Sequence, residues 1–507
     1  MHPTEKTQKI FFADKFSLFA RLGIGILSVL FLSLIISRLA FPFDNGILEA
    51  FNWMPAQHIL EGKNPYAFAL TPPYSMTPYG AVFYALIAAG QKLFGFQLWW
   101  GRLLTVLAFA FCLWAVVKIT KKITGEKEAA FVAFLAGLAM FPSQFWIGAV
   151  RPDLIAFAFA AGAAWLIFTR VEENEKTPVP VIAGIVLLSC AAFFTKQTFF
   201  LTAGIAFLRF LQVGKPREAF LTAAVFAALA ATGIFLLNYT SGGGYVWQHW
   251  THAQRLTFSW SQVVFELLRI LKTPVFSLAL VFLLVFIYRG RKSLFPVSGE
   301  KLLDILRSPL SLILFYFSAS LGWAFVSSGR VGANMNYYIE SSLLLSVVCG
   351  VVYANFRRNY LPKLALAMIV LFTLGGAFQL ARILHGERYR WQALGYYREI
   401  LDRTRKTVSS QPMADSVCIS VAAELVVRSG CRFHFDDFSE YEHGWSPELR
   451  EIFEREVKTG RYAAILWYDD RLDARFPNYR LVPVTQAAPE RSFPVYLYVP
   501  EDVAAAP

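Results

Sequence analysis

FPFDNGILEAFNWMPAQHILEGKNPYAFALTPPYSMTPY, residues Phe41–Tyr79, decides the reading of the chain. It follows the first long apolar run and is too polar and too rich in proline to cross a bilayer. It sets two carboxylates, Asp44 and Glu49, just beyond the hydrocarbon, among aromatic side chains of the kind that settle at a membrane–water interface. The stretch reads as the mouth of a membrane-embedded enzyme, and the other elements as its walls.

The surrounding composition supports that setting. Of 507 residues, 56% are hydrophobic and 16% charged, and the apolar residues fall in repeated long runs. A large soluble enzyme does not carry that pattern, so the chain reads as a polytopic α-helical membrane protein. A formal charge of +13 would suggest nucleic acid in a soluble protein. Here Lys and Arg lie mostly in short loops between apolar runs, where membrane topology accounts for them, and no nucleic-acid partner is expected. The first run has no convincing small-residue cleavage site, so no cleavable signal peptide is expected. Cys112, Cys190 and Cys349 lie in apolar runs as packing residues. Cys418 and Cys431 lie in a polar tail and are able to pair in an oxidising compartment. No zinc or haem spacing occurs.

Outward from the opening stretch, residues 1–17 carry three lysines and stay inside, so a first span at 18–40 sends the chain out. Residues 80–96 are short and hold Gln91 and Lys92; they read as a helix lying flat at the outer surface. Ten further spans follow at about 98–117, 128–147, 154–170, 179–194, 197–213, 219–238, 273–288, 309–327, 337–356 and 363–381, making about eleven. This parity sets the basic turns Lys118–Lys127, Arg209–Arg217, Arg289–Arg307 and Arg357–Lys363 on the inner side together. Residues 239–271 form a second outer loop. Residues 1–384 are then the membrane domain. From 385 to 507 the pattern changes. DSVCISV, RYAAILWYDD and SFPVYLYV alternate as strands, and SPELREIFEREVKTG has helical spacing with Pro447 near its start and Gly460 at its stop. This is a small outer α/β domain with no Gly-rich nucleotide loop.

The candidate chemistry sits at the outer ends of the spans. Asp44, closest to the first span, is the favoured general base, with Glu49 as the alternative; a solvated loop is the bland reading of both. Arg151, Pro152 and Asp153 form a second constellation, in which Asp153 is either a helix N-terminal cap or a second acid beside a phosphate-binding arginine. Asp44 and Asp153 together are candidates to share a divalent cation, Mg2+ or Mn2+, with phosphate oxygens completing its shell. Lys196, followed by Gln197, interrupts apolar sequence and either snorkels to water or meets a lipid phosphate. Tyr245, Trp247, His249, Trp250, His252 and Arg255 suit stacking on sugar or isoprenoid, with His252 and Arg255 near phosphate. In GRVGANMNYYIE (329–340), Arg330 suits a phosphate oxygen, Asn334 and Asn336 suit hydroxyls or a helix cap, and Tyr337 joins them. Glu340 lies a turn inside the next span, where a carboxylate is costly and functional by default; Arg330, Lys196 or a sugar hydroxyl are its expected partners. A polyprenyl-phosphate sugar is already activated, so such a pocket need only deprotonate an acceptor and stabilise the leaving phosphate.

In order and topology, FDNGILEAFNWMPAQHILEGKNPY, PPYSMTPYGAVFYALIAAGQKLFG, RPD at 151–153, TKQT at 195–198 and GANMNYYIE at 332–340 resemble the GT-C membrane glycosyltransferases over residues 1–385. The nearest groups are the protein O-mannosyltransferases, the aminoarabinose–lipid A transferases and the rhizobial lipopolysaccharide glycosyltransferases. The resemblance implies a polyprenyl-phosphate-linked sugar as donor, and a glycolipid, polysaccharide or protein as acceptor. It puts the acidic residue of the first outer loop at Asp44 and the second-loop aspartate at Asp153. It further implies a bacterial inner-membrane location and a monomer or weak oligomer. Two departures stand out: Asp-Asn at 44–45 where many relatives have Asp-Glu, and SMTPYG where the aminoarabinose enzymes place a phosphate-binding lysine. Two other classes remain: a transporter or flippase of amphiphilic substrates, with Asp153 and Glu340 lining a two-sided path, and a noncatalytic envelope scaffold.

Overall fold

The computed structural model describes residues 5–44, 49–68, 77–173, 175–252, 258–294, 308–330, 333–358, 362–409, 417–420, 423–436, 451, 455, 462–467, 479–482 and 495–500. Each apolar run becomes a helix. In chain order these are α1 (Glu5–Ala40), α2 (Trp53–Leu60), α3 (Ala81–Phe94), α4 (Leu98–Thr124), α5 (Lys127–Ala139), α6 (Phe141–Trp146), α7 (Pro152–Arg170), α8 (Val179–Thr195), α9 (Leu201–Gln212) and α10 (Pro216–Thr240). Then come α11 (Trp260–Leu271), α12 (Pro274–Leu294), α13 (Pro309–Ser327), α14 (Ile339–Arg358), α15 (Pro362–Gln392) and α16 (Leu394–Ser409). Proline opens α7, α10, α12, α13 and α15, where its missing N–H costs nothing and its fixed φ favours the first turn.

Ten of the eleven expected spans each coincide with one helix, whereas the one at 128–147 is divided at Met140 into α5 and the six-residue α6. Among the described residues, seven are long and apolar enough to cross a membrane: Arg21–Ala40, Leu98–Thr124, Pro152–Arg170, Pro216–Thr240, Pro309–Ser327, Met335–Arg358 and Pro362–Gln392. An eighth is reached if α11 and α12, bent by 87° at their junction, count as one broken span. Helices α3, α8 and α9 are apolar but shorter. At 14 residues, α3 extends only about 21 Å, less than the hydrocarbon thickness.

Helix α14 is the axis of the bundle, buried almost throughout and packed on α4, α5, α12 and α13. Gly350 permits the closest approach: a Cβ there would lie 2.5 Å from the Thr120 side chain and 2.7 Å from the Ala129 carbonyl. Leu22, Ile26, Val29 and Ile36 of α1, and Phe220, Leu221, Phe235 and Leu236 of α10, are exposed, which suits a lipid-facing surface.

The two ends of the bundle are distinct. At one end Lys122 pairs with Glu172, Arg209 donates to the Val171 carbonyl (3.1 Å), Gln212 donates to the Ser308 carbonyl (3.1 Å), and Arg358 pairs with Glu126 (2.8 Å). The expected basic turns at Lys118–Lys127, Arg209–Arg217 and Arg357–Lys363 therefore share that end through their described residues, with Ser308 beside them, while most of Arg289–Arg307 lies outside the described residues. The opposite end gathers the C-terminus of α1, α2, α3 and the N-termini of α4, α7 and α14.

The C-terminal strands form one sheet of order β2-β1-β3-β5-β4: β1 (Val417–Ser420), β2 (Arg432–Asp436), β3 (Ala464–Trp467), β4 (Tyr479–Val482) and β5 (Tyr496–Pro500). Strand β1 is parallel to both β2 and β3, whereas β5 runs antiparallel to β3 and β4. A seven-residue helix, α17 (Ala423–Ser429), makes the crossover that a parallel pair requires. Cys418 and Cys431 form a disulfide that closes this β–α–β unit. The stretch SPELREIFEREVKTG lies largely outside the described residues. Phe41, Phe43, Phe51 and Met54 of the first loop are buried in the same core as this domain.

Candidate active site

The decisive local contact is one the sequence does not display. Arg102, in the first turns of α4, is fully buried and uses all five of its N–H donors. Nε and Nη2 hold Glu49 at 3.0 and 2.7 Å; Nη1 donates to the carbonyls of Arg38 (2.7 Å) and Phe41; Nη2 also donates to the carbonyl of Phe43 (2.5 Å). Glu49, also fully buried, accepts a further bond from the Val150 amide at 2.8 Å, and Asn52 donates to the Val150 carbonyl at 2.7 Å. Glu49 is thus the keystone that fixes the first loop against the Ile147–Arg151 turn.

Asp44, one residue past the last carbonyl held by Arg102, is half-buried and lines a cavity of about 710 Å³. Arg38, Arg269, Lys272, Arg382, His385 and Arg390 supply its basic wall, and Phe141, Phe145, Met335 and Phe378 its apolar one. Arg38 is anchored to Glu387 (3.0 Å) and to the carbonyls of Phe145 (2.8 Å) and Ile147. Arg390 shares Glu387 at 2.8 Å.

The second cluster assembles three separate stretches. Asp153, in the first turn of α7 and fully buried, pairs through Oδ1 with Lys196 and accepts from Asn336 Nδ2 at 3.0 Å. The Lys196 ammonium lies 4.6 Å from the Tyr337 ring and 6.0 Å from that of Tyr79. The Arg151 guanidinium lies 5.2 Å from Trp146 and 5.9 Å from Tyr79. Tyr79 reaches this place because Gly80 presses on α8: its amide donates to the Thr195 carbonyl at 3.1 Å, and a Cβ would sit 2.0 Å from the Phe194 carbonyl oxygen. Asp153 Oδ2 and Asn336 Oδ1 are buried without a hydrogen-bond partner among the described residues. Two buried acceptors beside two cations are able to receive hydroxyl donors and an anion together.

The remaining candidates take different places. Asn334 caps the turn Met335–Tyr338, accepting from the Met335 amide at 2.7 Å, and also accepts from Arg269 at 3.1 Å. Arg330 is exposed and bridges Phe258 in a short antiparallel contact. Glu340 meets neither Arg330 nor Lys196: Tyr316 donates to it at 2.7 Å and Ser320 at 3.0 Å, since these hydroxyls lie on the adjacent α13. Gln248 ties its loop to the first, accepting from the Thr77 amide (2.6 Å) and donating to the Tyr66 carbonyl (2.9 Å). His249 stacks on Tyr245 with centroids 4.3 Å apart, and burial pushes its pKa down to about 4. The His252 side chain and Arg255 lie outside the described residues. Among the described residues no three His, Cys, Asp or Glu side chains gather as metal ligands. Asp153 already has the Lys196 ammonium as its counter-ion, so the residues present do not fit the oxygen shell of a Mg2+ or Mn2+ ion, and no step is drawn through one.

Comparison with known proteins bears on the fold. Residues 78–240 match the family model of dolichyl-phosphate-mannose-protein mannosyltransferases. No curated protein matches the sequence. The structure of ArnT from Cupriavidus metallidurans bound to undecaprenyl phosphate is similar at 13% identity with a TM-score of 0.63, covering 96% of this chain and 99% of that one. Its apo state gives 12% identity and a TM-score of 0.64, covering 96% and 98%. The chain has the GT-C fold. The segment matched by the family model includes Arg151, Asp153 and Lys196, while Asp44 and Asn336 lie outside it. The basic wall of the Asp44 cavity was not foreseen from the sequence. Its one trace there is the set of charges that brackets two span ends, at 269–272 and 382–390.

Proposed function

We propose that this protein transfers a sugar from a polyprenyl-phosphate carrier to an acceptor hydroxyl or phosphate at the outer face of the membrane, with inversion at the anomeric carbon. The observation that carries the reading is that Asp44 and the Asp153–Lys196–Asn336 cluster share one end of the bundle and are joined through adjacent residues. Met335 lines the Asp44 cavity, and Asn336 bonds Asp153. The solved relative from Cupriavidus metallidurans holds undecaprenyl phosphate, which supports the same class of carrier here.

In this reading Asp44 orients and deprotonates the acceptor. Lys196 and Arg151 stabilise the departing phosphate, with His252, Arg255 and Arg330 as further phosphate contacts. Asp153 Oδ2, Asn336 Oδ1 and Tyr337 receive the sugar. Glu49 fixes the first loop through Arg102 and takes no proton in the reaction. A two-sided transport path would need Glu340 to face a channel, yet both its oxygens are taken by Tyr316 and Ser320. The basic turns then face the cytoplasm, and residues 385–507 lie on the outer side with the site.

Reconstituted protein supplied with a polyprenyl-phosphate-linked sugar and an acceptor releases free polyprenyl phosphate and yields a product of inverted configuration. Use of a nucleotide sugar in the absence of lipid carrier, or retention of configuration, would overturn the proposal.

A further inference from the structure

The backbone just before Asp44 is held from two sides. Arg102 of the membrane bundle binds the carbonyls of Phe41 and Phe43. Arg428, at the end of α17 in the C-terminal domain, donates through Nη2 to the intervening carbonyl of Pro42 at 2.5 Å. Arg102 takes the first and third of these successive carbonyls and Arg428 the second, so two arginines from different domains grip three consecutive residues without competing.

Side-chain contacts reinforce the outer grip. The Arg428 guanidinium lies 5.4 Å from the Phe43 ring, which also packs on Tyr397 at 5.5 Å, and Phe41 meets Trp391 edge-on at 5.4 Å. Arg405 of α16 donates to the Arg428 carbonyl at 2.9 Å and so holds the end of α17. The Cys418–Cys431 disulfide ties the strand before α17 to the residue just past it.

We infer that Arg428 is a positioning residue for Asp44, and that the C-terminal domain sets the base in place through it, with the disulfide keeping α17 in register. The inference rests on Asp44 acting as the base. Misplacing a reacting group by about 1 Å costs on the order of 100-fold in rate, so a lost anchor one residue from Asp44 acts on turnover.

The test compares full-length wild type, Arg428→Ala, Arg428→Lys and the double variant Cys418→Ser/Cys431→Ser in nanodiscs. Two quantities are read: amide hydrogen exchange of residues 40–52 against that of α14, and kcat and donor KM with a lipid-linked sugar. Arg428→Ala is expected to raise exchange in 40–52 about tenfold with α14 unchanged, and to lower kcat about tenfold with donor KM within about twofold. Arg428→Lys, which keeps a donor for Pro42, falls between it and wild type. The double serine variant moves in the same direction as Arg428→Ala. Unchanged exchange in 40–52, an equal rise in α14, or Lys and Ala variants with the same kcat would overturn the inference. If exchange behaves as expected but wild type transfers no sugar, the grip stands and the transferase reading fails.

Discussion

Two buried acid–base pairs lie at the same end of the bundle and differ in what they leave open. Around Glu49 and Arg102 every donor and acceptor is used: five N–H groups meet carboxylate and carbonyl oxygens, and a backbone amide adds to the carboxylate. Around Asp153 and Lys196 one carboxylate oxygen and the neighbouring amide oxygen of Asn336 are unsatisfied among the described residues. A closed set of hydrogen bonds holds structure. A set with two acceptors left over, beside two cations and three aromatic rings, is able to receive a ligand. Burial and charge alone do not separate the two, because Glu49 and Asp153 are equally inaccessible.

The largest effect is expected on the closed side. Arg102→Met leaves Glu49 charged and buried and releases the carbonyls on both sides of Pro42. It should cost about 3–5 kcal/mol, read as loss of folded protein in thermal unfolding. Pairing it with Glu49→Leu should recover part of that loss, because the uncompensated charge is gone. No recovery would mean that the carbonyl contacts, rather than the ion pair, set the cost.

On the open side the loss should fall on activity. Lys196→Gln keeps a donor for Asp153 but removes the ammonium. Transfer should drop about 100-fold, with a smaller loss of stability than Arg102→Met because the introduced amide and Asn336 still donate to Asp153. Asp153→Asn should keep its Asn336 contact and lower transfer about tenfold, through donor KM more than kcat. If either variant instead unfolds the protein as Arg102→Met does, the two pairs are alike and the contrast fails.

The smallest effect at neutral pH concerns His58 on α2, beside the closed side. Burial pushes its pKa down to about 4. The unfolded chain takes up this proton near pH 6.5, whereas the folded protein does so only near pH 4. Its contribution is therefore full above about pH 6.5 and falls away between there and pH 4, by roughly 3 kcal/mol in all. His58→Gln should flatten Tm against pH across that window and change little at pH 7.

The helices were legible because apolar runs and basic turns repeat, and one parity set the described basic turns at one end. The Arg151, Asp153, Lys196 and Asn336 grouping follows from the same parity, which sends the ends of α8 and the starts of α7 and α14 to one face. What the sequence withheld is pairing across long separations. Nothing in it links Arg102 to Glu49, Arg38 to Glu387 or Glu340 to Tyr316, because the partners sit on different elements, a loop and a helix in the first pair and two helices in the others, and the register between elements is set by packing. The packing of Phe41 and Phe43 into the core of the C-terminal domain was hidden for the same reason. The disulfide was open on residue type alone, and it became definite once Cys418 and Cys431 lay 6.0 Å apart between Cα atoms.

The central claim is that Asp44 acts on the acceptor while the Lys196 cluster holds the donor. It is tested most directly by purifying Asp44→Asn from membranes charged with a lipid-linked sugar, then measuring bound donor and transfer together. The expected result is a donor retained as in wild type, with transfer down by about three orders of magnitude. Wild-type turnover by Asp44→Asn would contradict the account.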